Sequence, residues 1–367
     1  MKMILMNDFL REPLELIESQ KKAVESVLKG GWYILGPKVK TFEDEWARYL
    51  SSPHAIGVGN GMDAIEIGLK AIELPPDSEV ITTPLTAFAT VLAILRAGLR
   101  PVLADIDPTT GILDLESVAR SVTNNTRAIL LVHLYGRAAD MGQWQKLARE
   151  KKLLLLEDCA QSHGASWNGT NVGNFGIFAA WSFYPTKNLG ALGDGGAITT
   201  GDAHLAEKIK QLRNYGQSKR YHHPLVGLNS RLDEIQAAIL SERLKWLDRF
   251  TERRREIANA YRDGIDNPEI TLLAPPRDPN GHVHHLFVIK TKRREAFISH
   301  LESKGVASLI HYPVPVHNQE PCVNLRLDPK GLSNCEAFSK ECVSLPIHPQ
   351  LSDEDVSIVI SAVNSFC

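Results

Sequence analysis

The sequence predicts an α/β fold: a mostly parallel central sheet sandwiched by helices, followed by a smaller α+β domain toward the C-terminus. Three observations carry this. Residues 101–106, 128–132 and 153–157 are short apolar runs, and a helical pattern at 141–150 lies between the last two. Such alternation builds a parallel sheet with helices on its faces. Leu153 to Leu156 are four consecutive leucines, the pattern of a strand buried on both faces. The chain has 367 residues, room for a large domain and a smaller one. The break is expected near 250, giving domains 1–250 and 251–367.

Residues 14–28 carry apolar side chains at helical spacing, and Gly30 and Gly31 stop them. Trp32, Tyr33 and Ile34 lead to the next helix, 39–50. Exposed, that run implies a subunit or ligand contact; buried, it joins the chain's own core. A strand from Ala55 runs into the turn Gly59-Asn60-Gly61 and the helix 64–72. Backbone N–H groups at a helix start bind anions where glycines permit close approach. Residues 80–84 read as a strand and 87–95 as a helix. His133 follows a strand end, on the ligand side of an open sheet, and reads first as a packed histidine. Residues 205–212 are helical, and 213–223 form a polar, basic loop suited to a diphosphate or to plain solvent. A long amphipathic helix is expected to reach about Gly264. Beyond it come a strand at 284–290, a helix at 294–304, a strand at 307–310 and a closing helix at 352–366. Ser352 caps the last, with Glu354 and Asp355 in its first turn.

Composition excludes several function classes. With 43% hydrophobic and 23% charged residues and a net charge of -2, the chain suits neither nucleic acid nor a membrane surface as partner. Cys159, Cys322, Cys335, Cys342 and Cys367 are scattered, forming neither a disulfide framework nor a metal-ligand spacing. His311 and His317 lack a carboxylate or thiol at ligand spacing, so no metal is expected. The first residues lack the apolar core and cleavage site of a signal peptide, and a cytoplasmic location follows.

The chemistry concentrates around one lysine. Residues 178–184 form an apolar strand that ends at Pro185, and Gly190, Gly193, Gly195 and Gly196 fold the chain close around Lys187. Loop lysines are ordinarily solvated. A confined one loses solvation, and the free amine becomes a nucleophile toward aldehydes. Upstream, Asp158 ends the leucine strand, where open α/β sheets bind ligands; a helix cap is the alternative reading. Pyridoxal phosphate needs this pairing: a lysine for the Schiff base and a carboxylate to keep the pyridine nitrogen protonated.

Glu157-Asp-Cys-Ala-Gln-Ser-His-Gly-Ala165, with Ser182-Phe-Tyr-Pro-Thr-Lys-Asn-Leu-Gly-Ala-Leu-Gly-Asp-Gly-Gly196, resembles the DegT/DnrJ/StrS sugar aminotransferases. These are fold-type I pyridoxal-phosphate enzymes that aminate keto sugars carried on nucleotides, and the resemblance runs from about Gly30 to the C-terminus. It implies that Asn60, Gly61 and Met62 hold the cofactor phosphate together with Ser182. Met62 stands where relatives usually have Thr or Ser. Gln161 would meet the ring hydroxyl, Asp158 the ring nitrogen, and Lys187 would carry the cofactor. Phe88 would touch the ring, although the aromatic residue stands one place later than in relatives. Asn229 would reach the phosphate of the neighbouring subunit, which makes a homodimer the working unit. Tyr215, His311 and Tyr312 would bind the sugar.

The implied reaction is a two-stage transamination from L-glutamate, with pyridoxamine phosphate as the intermediate cofactor form. The segments around Tyr215, Gly227, His311 and Leu345 look most like enzymes aminating C3 of dTDP-3-keto-6-deoxyhexoses. Alternatives are amination at C4 of a dTDP- or UDP-4-keto sugar, or a pyridoxal-phosphate-binding protein without turnover. Related dehydratases carry histidine at the Schiff-base position, and Lys187 argues against that activity.

Overall fold

The computed structural model describes residues 3–367. Its first strands are β1 (His54–Val58), β2 (Glu79–Thr82), β3 (Arg100–Leu103), β4 (Thr126–Val132) and β5 (Leu154–Asp158). There follow β6 (Ser166–Trp167), β7 (Thr170–Asn171), β8 (Ala179–Ser182) and β9 (Gly196–Thr200). The last four are β10 (Thr271–Leu272), β11 (Phe287–Lys290), β12 (Arg326–Leu327) and β13 (Cys342–Leu345).

Eight of these form the central sheet, in the order β1-β9-β8-β5-β4-β2-β3-β12. From β8 to β12 every pairing is parallel, and β9 alone runs against its neighbours β8 and β1. Its opening glycines read as loop. Gly196 is needed there because a Cβ at this position would lie 2.5 Å from the Asn60 backbone. The leucine strand is β5, with Leu155 to Asp158 buried, as expected of a parallel strand covered on both faces.

Helices cover both faces. One layer packs Ile56, Ile65, Leu69, Ile94, Leu130 and Ile209 together. The other buries Val91, Leu103, Ile129, Trp144 and Phe338. A third cluster, built on Phe42, Trp46, Trp181 and Phe183, lies behind the lysine loop. The helix Pro37–Leu50 begins at a proline in its first turn, where a missing N–H costs nothing. Glu234 supplies the missing cap from far along the chain. Its carboxylate accepts from the N–H groups of Gly36, Lys38 and Val39 at 2.8–2.9 Å.

The helix expected to run unbroken to Gly264 is two helices, Glu234–Leu244 and Leu247–Gly264. Lys245 and Trp246 form a turn at the break, with Trp246 still in the right-handed region at φ −104° and ψ −9°. Apolar spacing continues across it, so periodicity does not reveal the break. The 307–310 strand is reduced to one bridge, Leu309 to Ser344. The antiparallel sheet β10-β11-β13 packs on the helices Arg294–Ser303 and Asp353–Asn364 around Ile257, Phe297, Val343 and Val359. Ser352 and Asp355 form a reciprocal capping box at the last helix. The chain beyond residue 250 also returns to the large sheet, where β12 pairs with β3. Among the described residues no helix is long and apolar enough to cross a membrane.

Candidate active site

Asp158 is the last residue of β5 and is buried. Its Oδ1 accepts from the Ala160 N–H at 3.1 Å and its Oδ2 from the Thr90 hydroxyl at 2.9 Å. Burial pushes its carboxyl above the usual range, opposed by these two hydrogen bonds and by the charge of Lys187. The side chain before it points to the other face of the sheet. Glu157 accepts there from Gly173, Phe175 and Gly176 N–H groups at 2.7–2.8 Å and lies 3.0 Å from His133 Nε2. His133, Glu157 and Cys159 offer ligand atoms within 4.8 Å of one another. With four donors already on it, the Glu157 carboxylate works as a hydrogen-bonding hub that fixes the strand end under Asp158.

Lys187 sits in the loop that joins β8 to β9. Its N–H bonds Tyr184 O at 2.8 Å, and the loop closes through Ala191 N–H to Phe183 O at 2.7 Å. Gly190 permits this tightness, since a Cβ there would lie 2.3 Å from Pro185 O. The lysine is half-buried. Desolvation brings its ammonium down to about 8, with the Asp158 charge opposing. Around it burial holds His163 down to about 3 and His311 to about 4, and His285 well below its usual value. All three are neutral near pH 7 and add no charge beside Lys187. His163 lies in a box of Trp46, Trp181 and Phe183 rings at 5.5–5.9 Å.

The turn after β1 forms a cradle beside this pair. Asn60 caps the helix Gly61–Ala71 by accepting from the Asp63 N–H at 2.8 Å. The first-turn N–H groups of Gly61 and Met62 have no intrahelical acceptor. Gly61 lies so close to Ser182 that a Cβ would come within 2.6 Å of the serine Cβ. The cradle, the Ser182 hydroxyl, Lys187 and Asp158 thus meet at adjacent strand ends. A phosphate on the helix N-terminus, an aldehyde at the lysine and a ring nitrogen at the carboxylate fit this donor set.

Other expected site residues stand differently. The Met62 side chain packs on the core, leaving only its N–H for an anion. Phe88 also packs against the core cluster under its helix. The residue of helix Phe88–Arg96 that reaches Asp158 is Thr90, two places and about half a turn from Phe88. Gln161 Oε1 accepts from the Tyr135 N–H at 2.6 Å and its Nε2 donates to Tyr312 Oη at 3.2 Å. Tyr312, expected at the sugar, therefore also adjoins the ring-side amide. His311 Nδ1 lies 2.8 Å from Ser344 Oγ, and His317 faces Glu336 at 3.4 Å. Tyr215 and Asn229 sit on an exposed arm: Tyr215 is 45% exposed under the Arg231 guanidinium, and Asn229 bridges Asn214. Ser230 Oγ ties that arm to the cradle by accepting from Gly59 N–H at 3.0 Å. Sequence reasoning missed Thr90, Tyr135 and Ser344, whose roles arise only from contacts across elements.

Residues 15–364 match the family described as DegT/DnrJ/EryC1/StrS aminotransferases. The chain is 46% identical over 346 residues to a dTDP-3-amino-3,6-dideoxy-alpha-D-galactopyranose transaminase of Aneurinibacillus thermoaerophilus, covering 94% of each chain. It is 43% identical over 356 residues to a dTDP-3-amino-3,4,6-trideoxy-alpha-D-glucose transaminase of Streptomyces venezuelae, covering 96% of this chain and 93% of the relative. The crystal structure of S. venezuelae DesV in complex with a ketimine intermediate superposes with a TM-score of 0.95 at 40% identity, covering 99% and 98% of the two chains. The chain belongs to the DegT/DnrJ/EryC1/StrS aminotransferase family, whose cofactor is pyridoxal phosphate.

Proposed function

We propose that this chain transfers the amino group of L-glutamate to C3 of a dTDP-linked 3-keto-6-deoxyhexose. The observation that carries this reading is the pairing of Lys187, with its ammonium brought down to about 8, and the buried Asp158. The C3 assignment rests on the relatives at 46% and 43% identity, both named for dTDP-3-amino sugars.

Bound here, pyridoxal phosphate supplies an electron sink for the carbon that loses its proton. Lys187 offers the neutral amine that attaches the cofactor and, once released, carries the proton to and from the donor α-carbon. Asp158 faces the ring nitrogen and keeps it protonated. Asn60, Gly61, Met62 and Ser182 hold the phosphate. Gln161 keeps one amide hydrogen free for the ring hydroxyl after bonding Tyr312. His311 and Tyr312 meet the sugar. The 251–367 domain that carries them closes the site from one side.

Two copies complete the site in this reading. Asn229 of the partner subunit reaches the phosphate, and Tyr215 of the partner subunit lies near the sugar. Trp32, Tyr33 and Ile34 are 60%, 50% and 40% exposed. They join the arm through the Ile34–Asp233 bridge and the Glu234 N–H bond to Tyr33 O. A contiguous apolar surface of this kind marks an interface. The compartment assigned is the cytoplasm.

Incubating the protein, pyridoxal phosphate and glutamate with 3-keto and 4-keto dTDP-hexoses tests the assignment. Amination of the 3-keto sugar is expected. Turnover of the 4-keto sugar alone would move the reaction to C4.

A further inference from the structure

Tyr135 is a buried residue in the tight turn Leu134–Gly136 that follows β4, and four contacts converge on it. Its backbone N–H donates to Gln161 Oε1 at 2.6 Å. Its carbonyl accepts from the Leu286 N–H at 3.3 Å. Its hydroxyl donates to the His311 carbonyl, and its ring stacks on Phe338 at 6.5 Å. The backbone adopts φ +62°, a left-handed conformation that a bulky non-glycine residue keeps only where its surroundings over-determine it. Gly136 follows at φ +91°, and a Cβ there would lie 2.9 Å from Gln161 O. Strand end, ring-side glutamine and sugar-side loop are thus packed against one residue.

The loop has a second tether on the same residue. His311 is held at its carbonyl by Tyr135 and at its ring by Ser344 Oγ, 2.8 Å from Nδ1. Tyr312 is held at its hydroxyl by Gln161 Nε2, 3.2 Å away. Gln161 therefore carries Tyr135 on one amide atom and Tyr312 on the other. The circuit Tyr135–Gln161–Tyr312–His311–Tyr135 closes on itself through three side chains, the Tyr135 backbone N–H and the His311–Tyr312 peptide.

We propose that Tyr135 is a positioning residue whose hydroxyl sets the His311–Tyr312 peptide against Gln161, fixing the sugar-side loop relative to the cofactor side of the site. The inference rests on the aminotransferase reading for its kinetic consequence, and on hydrogen bonds alone for its structural one. In that reading the loop meets the keto sugar through His311 and Tyr312, and no loop residue is assigned to glutamate. Loss of the hydroxyl then separates the two half-reactions.

The test uses Tyr135→Phe, which keeps the ring and the backbone N–H, alongside Ser344→Ala and Phe338→Leu. In the cofactor-free protein, Tyr135→Phe is expected to speed amide exchange about tenfold across residues 309–318, with distant segments unchanged. The amides of Leu309, Val316 and Asn318, all hydrogen-bonded, report this directly. In the loaded enzyme KM for the keto sugar rises about tenfold, while the glutamate half-reaction stays within about twofold. Ser344→Ala gives the same pattern more weakly. Phe338→Leu lowers Tm without moving KM. Unchanged exchange and KM in Tyr135→Phe, equal losses in both half-reactions, or a KM rise in Phe338→Leu as large as in Tyr135→Phe would each overturn the proposal. A wild-type protein that never aminates a keto sugar would remove the functional reading instead, and the exchange measurement would still decide the loop claim.

Discussion

Thr90 donates its hydroxyl hydrogen to Asp158 across 2.9 Å, linking the helix Phe88–Arg96 to the end of β5. Thr86 lies one turn away with its hydroxyl 2.9 Å from that of Thr90. The carboxylate proposed to face the ring nitrogen is thus held by a side chain on a neighbouring element as well as by the Ala160 N–H. Because a bond to the charged form favours that form, Thr90 counters the effect of burial on Asp158.

Thr90→Val keeps the shape and removes the hydroxyl, so the Asp158 carboxyl moves further up. We expect the glutamate half-reaction to slow about tenfold, the worth of roughly one hydrogen bond to a charged group. Cofactor binding should persist. Rapid mixing of the loaded variant with glutamate measures it.

Lys187 predicts a pH dependence. Capture of pyridoxal phosphate requires the neutral amine, so its rate climbs with pH and levels off above about 8. An unperturbed lysine would keep climbing to the usual value of 10.5. Asp158→Asn removes the charge that raises the lysine, moving the plateau to lower pH. The same shift acts on stability. Between about 8 and 10.5 the unfolded chain holds the proton and the folded chain has released it, so stability of the cofactor-free protein rises with pH across that window. Stopped-flow capture rates and chemical denaturation at several pH values check the two statements.

Glu234 caps the helix Pro37–Leu50 with three N–H bonds and is buried. Glu234→Ala leaves those donors unpaired and should cost about 3 kcal/mol, read as a lower denaturation midpoint. It also loosens the Trp32–Ile34 segment, so the variant should dissociate at higher concentration than wild type in analytical ultracentrifugation.

A shared site predicts complementation. Lys187→Ala and Asn229→Ala subunits, each with little activity alone, should regain about one quarter of wild-type activity when mixed at equal concentration, since half the dimers are mixed and each has one intact site. No recovery after verified subunit exchange would place Asn229 outside the partner's site.

Much of this was legible in the chain because the signals are local. Four leucines ending at Asp158 announce a buried parallel strand and its ligand-facing end. A strand stopped by Pro185 and followed by glycines announces the lysine loop. What escaped was whatever depends on elements meeting. Thr90 and Phe88 sit two places apart on one helix, and only its docking decides which reaches Asp158. Tyr135, Gln161 and Tyr312 are distant in sequence and meet only when β4, β5 and the 311–317 loop come together. β9 escaped because the glycines that let it pass Asn60 read as loop.

In the proposed function Lys187 carries pyridoxal phosphate through the glutamate half-reaction. The most direct measurement is the absorption spectrum of purified protein with added pyridoxal phosphate, wild type against Lys187→Ala. A visible band from lysine-bound cofactor is expected in wild type, absent in the variant, that bleaches on adding glutamate and returns on adding a dTDP-3-keto-6-deoxyhexose. A band that persists in Lys187→Ala, or one in wild type that glutamate leaves untouched, would contradict it.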